Sequence, residues 1–130
     1  MGKDLVNAMA WRKDVEKRYL GSSIFVKNPL RGKSLCDMKN RIFKPREIVL
    51  RDLNDIDQSD LVLANIPKKR YSLMWGSPCE IMYAFLKNIP VIVVTDDEEV
   101  RVHYWLVHQC VAFFDNLEES LEYIEKFWFV

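Results

Sequence analysis

One carboxylate in the sequence stands out by its position. Glu80 follows Ser77 and Pro78 in a segment that has the composition of a helix start. A Ser followed three residues later by Glu forms a capping box, and Pro is favoured in the first helical turn, so a purely structural role is available. Alternatively, the helix dipole keeps this carboxylate ionised at the mouth of a ligand crevice, where it could attack the C1′ carbon of a sugar. The spacing alone favours the capping role.

A second group of carboxylates lies within one short acidic segment, at Asp52, Asp55, Asp57 and Asp60. For any one of them, a solvated helix face or a strand entry is the simpler interpretation. Paired carboxylates near a sugar could instead act as general acid and base, with one of them raised in pKa so that it protonates a leaving base. The spacing leaves both interpretations open.

Polar and aromatic side chains elsewhere could contact a nucleotide. Asn28, Arg31 and Lys33 could hold a phosphate group or could simply form a polar turn. Tyr71 and Trp75 could stack on a nucleobase or could pack as part of a lid. The sequence contains no Walker A, GxGxxG, GxSxG or HExxH motif, which argues against the common triphosphate, dinucleotide, serine-hydrolase and zinc-protease sites.

Alternating helices and strands must position these residues. Hydrophobic periodicity predicts helices at 4–20, 46–58, 77–87, 98–109 and 116–127, and strands at 23–27, 61–66, 91–94 and 111–114. This order predicts one α/β domain over residues 1–130, with a small doubly wound, flavodoxin-like parallel sheet and helices on both faces. Ligands of such sheets bind at the carboxyl ends of the strands, where polar clusters occur at 28–31, 65–76 and 95–98.

Composition narrows the class of protein. The chain has 130 residues with 19 Lys and Arg against 19 Asp and Glu, so it lacks the basic excess of a module that binds nucleic acid by charge. It has neither a membrane-length apolar run nor a signal peptide, so we expect a cytoplasmic protein. Three cysteines without a CxxC pair and only two histidines predict reduced thiols, no metal and no cofactor.

Several ordered segments resemble the nucleoside 2-deoxyribosyltransferase superfamily, which includes the 2′-deoxynucleoside 5′-monophosphate N-glycosidases. They are Trp11-Arg12 in the first helix, Asn28-Pro29-Leu30-Arg31-Gly32 after a strand, Arg51-Asp52 followed by Ser59-Asp60-Leu61-Val62-Leu63-Ala64-Asn65, Gly76-Ser77-Pro78-Cys79-Glu80 with Tyr83-Ala84, and Asn88 to Val94. The likeness covers most of the chain. It shifts the balance for Glu80 from the capping role to the functional one.

The resemblance implies roles for individual residues. Glu80 would be the nucleophile that attacks C1′ of the deoxyribose, and Asp52 would help to protonate the leaving base. Tyr104, within the segment 103–105, would complete the site of a neighbouring subunit. The substrate would also contact a set of residues given by the matching segments: Asn28, Arg31, Asp60, Gly76 and Ser77. For Asp60, structural support of the strand that follows it is favoured over contact with the substrate.

The implied activity is cleavage of the N-glycosidic bond of a deoxynucleoside or its 5′-monophosphate, by hydrolysis or by transfer to another base. Hydrolysis is favoured. The alternative is a catalytically inactive domain of the same fold that binds or senses nucleotides. It is motivated by a departure from the family pattern: the family begins with a strand and a loop containing Tyr and Gly, whereas this chain begins almost on the first helix.

The C-terminal third carries more aromatic and aliphatic side chains than one strand and two short helices easily bury. They include Tyr104, Trp105, Phe127, Trp128 and Phe129. Because exposed apolar patches usually mark interfaces, we expect a homodimer or a higher homo-oligomer. The alternative is that the C-terminal tail packs on the first helix of its own chain.

Overall fold

The computed structural model describes residues 2–32, 34, 37, 40, 42–68 and 76–129. Its elements are α1 (Gly2–Tyr19), α2 (Pro45–Asp57), β1 (Val62–Asn65), α3 (Gly76–Leu86), β2 (Val91–Val94), α4 (Glu98–Val102), α5 (Tyr104–Gln109), β3 (Ala112–Phe114), α6 (Leu117–Tyr123) and a π-helical turn (Ile124–Trp128). The chain folds as two compact units, Met1–Asp55 and Ile56–Val130. The single domain over 1–130 therefore stays a prediction.

The first unit contains α1 and most of α2, both close to their predicted bounds. After α1, Gly21 takes a φ of +79°, a left-handed conformation that glycine adopts without steric cost. At the start of α2, the Lys44 N–H donates to Glu47 Oε2 at 3.1 Å, which satisfies a backbone donor that the helix leaves unpaired. Local sequence signals therefore account for both helix boundaries.

The strand predicted at residues 23–27 is wrong, because the structure has no strand there. The Ser22 hydroxyl donates to the Tyr19 carbonyl at 2.7 Å and accepts the Ile24 N–H at 3.1 Å, so a local turn uses a donor that a strand ladder would need. Phe25 is 86% exposed, whereas a strand of this composition is expected to bury its apolar residues. The β-branched composition predicted a strand, but a turn stabilised by the Ser22 hydroxyl forms there instead.

The second unit is built on a parallel sheet in the order β1-β2-β3. Val62 pairs with Val91 and Ile92 pairs with Ala112, so β2 lies between the other two strands. Helix α3 connects β1 to β2, and α4 and α5 connect β2 to β3. This arrangement confirms the predicted α/β fold with a parallel sheet, although the described residues form three strands where four were predicted.

The core of the second unit has two sides because side chains alternate along a strand. Val91 and Val93 belong to a cluster that includes Ile81 and Ala84 of α3. Ile92 is also fully buried but lies outside this cluster, and α6 contacts β2 and β3. Helices therefore cover both faces of the sheet, as predicted.

Two predicted helices differ from the observed ones. The segment 98–109 forms α4 and α5 with a break at His103, whose backbone is extended with φ −67° and ψ 123°. The last helix begins after Asn116, whose Oδ1 accepts the Glu119 N–H at 2.9 Å as a predicted N-cap, and it continues into the π-helical turn. No helix in the described part of the chain is long and apolar enough to cross a membrane.

Replacing Ile92 by Ala tests the importance of the central strand. The side chain is completely buried, so we expect the free energy of unfolding to fall by about 2–5 kcal/mol. Ile42→Ala is the matched control, because Ile42 is 60% exposed and its truncation should change stability by less than about 0.5 kcal/mol. Urea denaturation followed by circular dichroism measures both, and equal losses would contradict the assigned core.

Candidate functional site

Glu80 lies in the first part of α3, which follows the carboxyl end of β1 along the chain. The helix begins at Gly76, so Ser77 is inside the first turn and is not the N-cap that a capping box with Glu80 requires. A Cβ added at Gly76 would lie 4.0 Å from Glu80 Oε1. The Glu80 carboxylate therefore folds back toward the N-terminus of the helix.

The carboxyl ends of the strands carry a polar network. Arg101 Nη2 donates to Asp115 Oδ1 at 2.5 Å, just after β3, and to the Thr95 carbonyl at 3.2 Å, just after β2. Next to Thr95, Asp96 Oδ1 accepts the Lys68 N–H at 2.7 Å, beyond the end of β1. These contacts tie together the ends of all three strands, at the edge where open α/β sheets bind ligands.

Sequence reasoning found only part of this network. The cluster at 95–98 follows a buried strand, and that position was signal enough to single it out. Arg101 and Asp115 were missed because their partnership depends on how β2 and β3 pair, and no local pattern encodes a contact across 14 residues.

Helix α3 is anchored at its other end. The Tyr83 hydroxyl donates to Asp57 Oδ1 at 2.8 Å, and Lys87 Nζ lies 3.7 Å from the same oxygen. Glu80, Tyr83 and Lys87 are spaced so that they share one side of the helix. The hydrogen bond to the Asp57 carboxylate raises the pKa of Tyr83, since losing the proton would place two negative charges together. The contact joins this side of α3 to the end of α2 within the second unit.

In the first unit, Asn28 and Arg31 form one turn. The buried Asn28 accepts the Leu30 N–H on Oδ1 at 2.9 Å, and its carbonyl accepts from Arg31 Nη1 at 3.0 Å. The guanidinium of Arg31 also donates to both carboxylate oxygens of Asp55, at 2.6 and 2.8 Å. Asn28 and Arg31 are thus brought together in the polar turn that was one of the two interpretations of their spacing.

The fork of Arg31 on Asp55 determines what this turn can bind. The hydrogen bond from Arg31 lowers the pKa of Asp55, and the same bond raises the pKa of Arg31. The charge of Asp52 acts on Arg31 in the same direction as that of Asp55. Because the guanidinium already holds a carboxylate in a bidentate pair, a phosphate at this position must compete with Asp55.

The other predicted site residues lie in separate parts of the chain. Asp52 is half-buried on α2 in the first unit, and in the second unit Asp60 is exposed just before β1. Tyr104 is the first residue of α5 and is exposed. A further set lies outside the described residues: Lys33, Tyr71 and Trp75.

The described residues include no group of three or more His, Cys, Asp or Glu side chains placed to hold a metal ion. Burial raises the pKa of the Cys110 thiol to about 11, so this cysteine is held as an inert thiol. Comparison with models of known protein families gives no match, and comparison with curated protein sequences gives none.

Asp55→Asn tests the ion pair. We expect the free energy of unfolding to fall by about 1–2 kcal/mol at pH 7, because Arg31 loses a charged partner while its exposure limits the effect. The folded pKa of Asp55 lies below its unfolded value of about 4, so the stabilisation is present above that value and is lost as the pH falls through the folded pKa.

The difference between wild type and Asp55→Asn should therefore shrink below about pH 4. Thermal unfolding from pH 3 to 7 measures it. Asp14→Asn, at an exposed position of α1, is the control and should change the free energy of unfolding by less than about 0.5 kcal/mol. A difference between wild type and Asp55→Asn that stays constant over this range would contradict the assignment.

Asp57→Asn tests the anchor of α3. Removing the negative charge should lower the pKa of Tyr83 toward the ordinary value of about 10. Titration of ring-labelled tyrosine by NMR measures this shift, with the Tyr83 signal assigned by its loss in Tyr83→Phe. Asp115→Asn should leave the Tyr83 pKa unchanged. An unchanged Tyr83 pKa in Asp57→Asn would show that the hydrogen bond is absent in solution.

Proposed function

We propose that this protein cleaves the N-glycosidic bond of a deoxynucleoside or a deoxynucleoside 5′-monophosphate, with Glu80 as the nucleophile. The observation that carries the proposal is the placement of the Glu80 carboxylate, folded back to the start of α3 on the side of β1's carboxyl end. An ionised carboxylate held at this point is the group that attack on an anomeric carbon requires. The resemblance of the surrounding segments to the nucleoside 2-deoxyribosyltransferases supplies the substrate class.

The proposed reaction has two steps. A Glu80 oxygen forms a bond to C1′ as the C1′–N bond breaks, and the base leaves with a proton that we assign to Asp52. Water then attacks C1′ of the glycosyl ester and passes its proton to Asp52 as the bond to the Glu80 oxygen breaks. This step releases deoxyribose or its 5-phosphate and regenerates the Glu80 carboxylate and the protonated Asp52. A second base in place of water would give transfer, but we favour hydrolysis.

Two sets of contacts, the Tyr83–Asp57 hydrogen bond and the Arg101 network, would support this chemistry. The buried Ile81 and Ala84 set which side of α3 faces the core. The Tyr83–Asp57 hydrogen bond adds a surface contact on the side that carries Glu80. The Arg101 network holds the ends of β2 and β3 in register beside the proposed crevice. Because effective catalysis depends on near-attack geometry, contacts that limit the movement of these elements would favour the reaction.

We assign Asn28, Arg31, Asp60, Gly76, Ser77 and Tyr104 to substrate contacts from the same resemblance. We place the protein in the cytoplasm as a homo-oligomer.

A second function is a binding domain that senses nucleotides without cleaving them. The Arg31–Asp55 pair favours it, because a ligand phosphate that takes Arg31 must release Asp55 and thereby change the turn. Thermal shift with nucleotides, together with chromatography of released base, separates the two functions. A ligand that stays at about 100 times its Kd adds about 2.7 kcal/mol of stability, so a thermal shift without release of base indicates a binding domain.

Glu80→Gln is the decisive variant. Incubation with a panel of deoxynucleosides and their monophosphates, with and without an acceptor base, should release or exchange free base with the wild type and not with the variant. Glu119→Gln, in the first turn of α6, is a matched carboxylate control that should keep full activity. Asp52→Asn should lower kcat by about 10²–10⁴. Activity that survives Glu80→Gln would refute the nucleophile assignment.

A further inference from the structure

Four aromatic rings form a connected row near the C-terminal end of the second unit. Tyr123 lies between Phe114 and Phe127, with ring centroids 5.1 and 5.6 Å away, and Phe127 meets Trp128 at 5.3 Å. The row reaches the surface at Phe127, which is 66% exposed. Because each ring contacts the next, the row is one continuous aromatic surface, and much of Phe127 is open to solvent.

A π-helical turn carries the outer rings. It covers Ile124–Trp128, and the Phe129 N–H donates to the Ile124 carbonyl at 3.1 Å, five residues back along the chain. Tyr123 and Phe127 stack at the start of this turn, with an angle of only 9° between their ring planes. π-helical turns are rare and occur frequently at functional sites. A rare backbone conformation therefore accompanies the exposed ring.

The helix that leads into this turn has a buried side and a charged side. Leu121 and Ile124 are buried, and α6 contacts β2 and β3. Glu119 and Glu122 are exposed, and they are neighbours on the helix surface because they are three positions apart. Glu119 also lies four positions before Tyr123, which places it on the same side of the helix as the ring stack.

We call the exposed side chains of Glu119, Glu122 and Phe127, together with the ring of Tyr123, the α6 face. None of the described cations lies over the rings of Tyr123 or Phe127, although Lys87 lies over the ring of Tyr83 at 5.4 Å. The α6 face therefore combines carboxylates with a ring stack that no described cation of this chain covers.

The charge around the α6 face is strongly one-sided. The 24 residues from Val102 to Glu125 contain five carboxylates and no Lys or Arg, whereas the whole chain has 19 residues of each sign. Neither Glu119 nor Glu122 takes part in an ion pair among the described residues. Lys126 is the one cation in the sequence between residues 117 and 129, which also holds four Glu. The α6 face is therefore complementary to a positively charged partner.

The exposed ring surface fits a side chain of a partner and is small for a folded domain. Phe127 exposes roughly 100–150 Å², since an aromatic side chain has an area of about 200 Å². Each partner in a stable protein interface buries about 800 Å². The ring is thus too small to hold a second folded copy of this chain by itself, but it can receive one side chain from an extended segment.

We propose that the α6 face binds an arginine-bearing segment of another protein, with a guanidinium stacked on Phe127 and hydrogen-bonded to Glu119 or Glu122. A guanidinium is planar, stacks on aromatic rings and donates in a fork to carboxylates, whereas a Lys ammonium supplies charge alone. Nucleic acids and anionic membranes are repelled by the same carboxylates. This inference goes beyond the proposed function and does not depend on it.

Isothermal titration calorimetry with the full chain tests the proposal. The probe is an unlabelled ten-residue peptide in which Arg and Gly alternate. We expect saturable binding that weakens as the salt concentration rises from about 50 to 500 mM, because part of the attraction is between exposed charges. The same peptide with Lys in place of Arg should bind at least about threefold more weakly, because it loses the stacking and the fork.

Two variants remove the two parts of the α6 face. Phe127→Ala should weaken binding of the Arg peptide about fivefold to thirtyfold, the effect of losing a cation–π contact. Glu119→Gln combined with Glu122→Gln should weaken it at least about tenfold, because the guanidinium loses its charged acceptors. Circular dichroism checks folding. Both glutamates are exposed, so their variant tests the proposal even where Phe127→Ala destabilises the π-helical turn.

Each variant has a matched control in the first unit. Phe25→Ala removes a phenylalanine that is 86% exposed and should bind the Arg peptide like the wild type. Asp14→Asn combined with Glu16→Gln removes the same amount of negative charge from α1 and should also leave binding unchanged. Equal weakening by this second control would overturn the proposal, since the overall charge of the protein would then explain the binding.

Three further outcomes would overturn the proposal. They are the absence of binding at about 1 mM peptide, equal binding of the Arg and Lys peptides, and unchanged binding in folded Phe127→Ala protein. Sedimentation velocity checks the other occupant, because self-association that Phe127→Ala abolishes, without peptide binding, would show that a second copy covers the ring. Release of base by the wild type and its loss in Glu80→Gln test the proposed reaction separately.

Discussion

The second unit depends on the complete burial of one four-residue strand. Every side chain of β2 is buried, its two edges are paired with β1 and β3, and its two faces are covered by helices. Its four β-branched side chains contain no polar atom, so exposing the strand to water would be unfavourable. The helices that carry Glu80, Arg101 and Tyr104 are placed by packing around it or by following it in the chain. The polar network at the carboxyl edge of the sheet is therefore only as well ordered as this strand.

Sequence patterns predicted the elements that rely on local signals or on continuous burial. The apolar runs at 61–66 and 91–94 form β1 and β2, and Asn116 is the N-cap of the last helix, as predicted. The prediction of a strand at 23–27 was wrong because β-branched composition indicates only a preference for extended structure. The hydrogen bonds of Ser22 form a local turn instead. The break between α4 and α5 at His103 could not be predicted, because no Pro or Gly lies near it in the sequence.

The candidate site was less predictable than the fold, because its contacts join residues far apart in the chain. The spacing of Asn28 and Arg31 left a phosphate site and a polar turn open. The observed turn includes an ion pair between Arg31 and Asp55, which lies 24 residues away in the chain. The sequence assigns Tyr83 only to a resemblance, and its contact with Asp57, 26 residues away in the chain, depends on the fold. Patterns within one element could suggest candidates, whereas their partners required the fold.

The parallel register also has a consequence for how the chain is made. Val62 pairs with Val91, 29 positions later, so no strand of this sheet can form as a local hairpin. At about 5–20 residues per second, a ribosome needs roughly 1.5–6 s to synthesise that interval. During that time β1 is a short apolar segment without its partner strand, and it depends on the neighbouring helices or a chaperone for cover. Slower translation would lengthen this exposure and raise the risk of aggregation before folding.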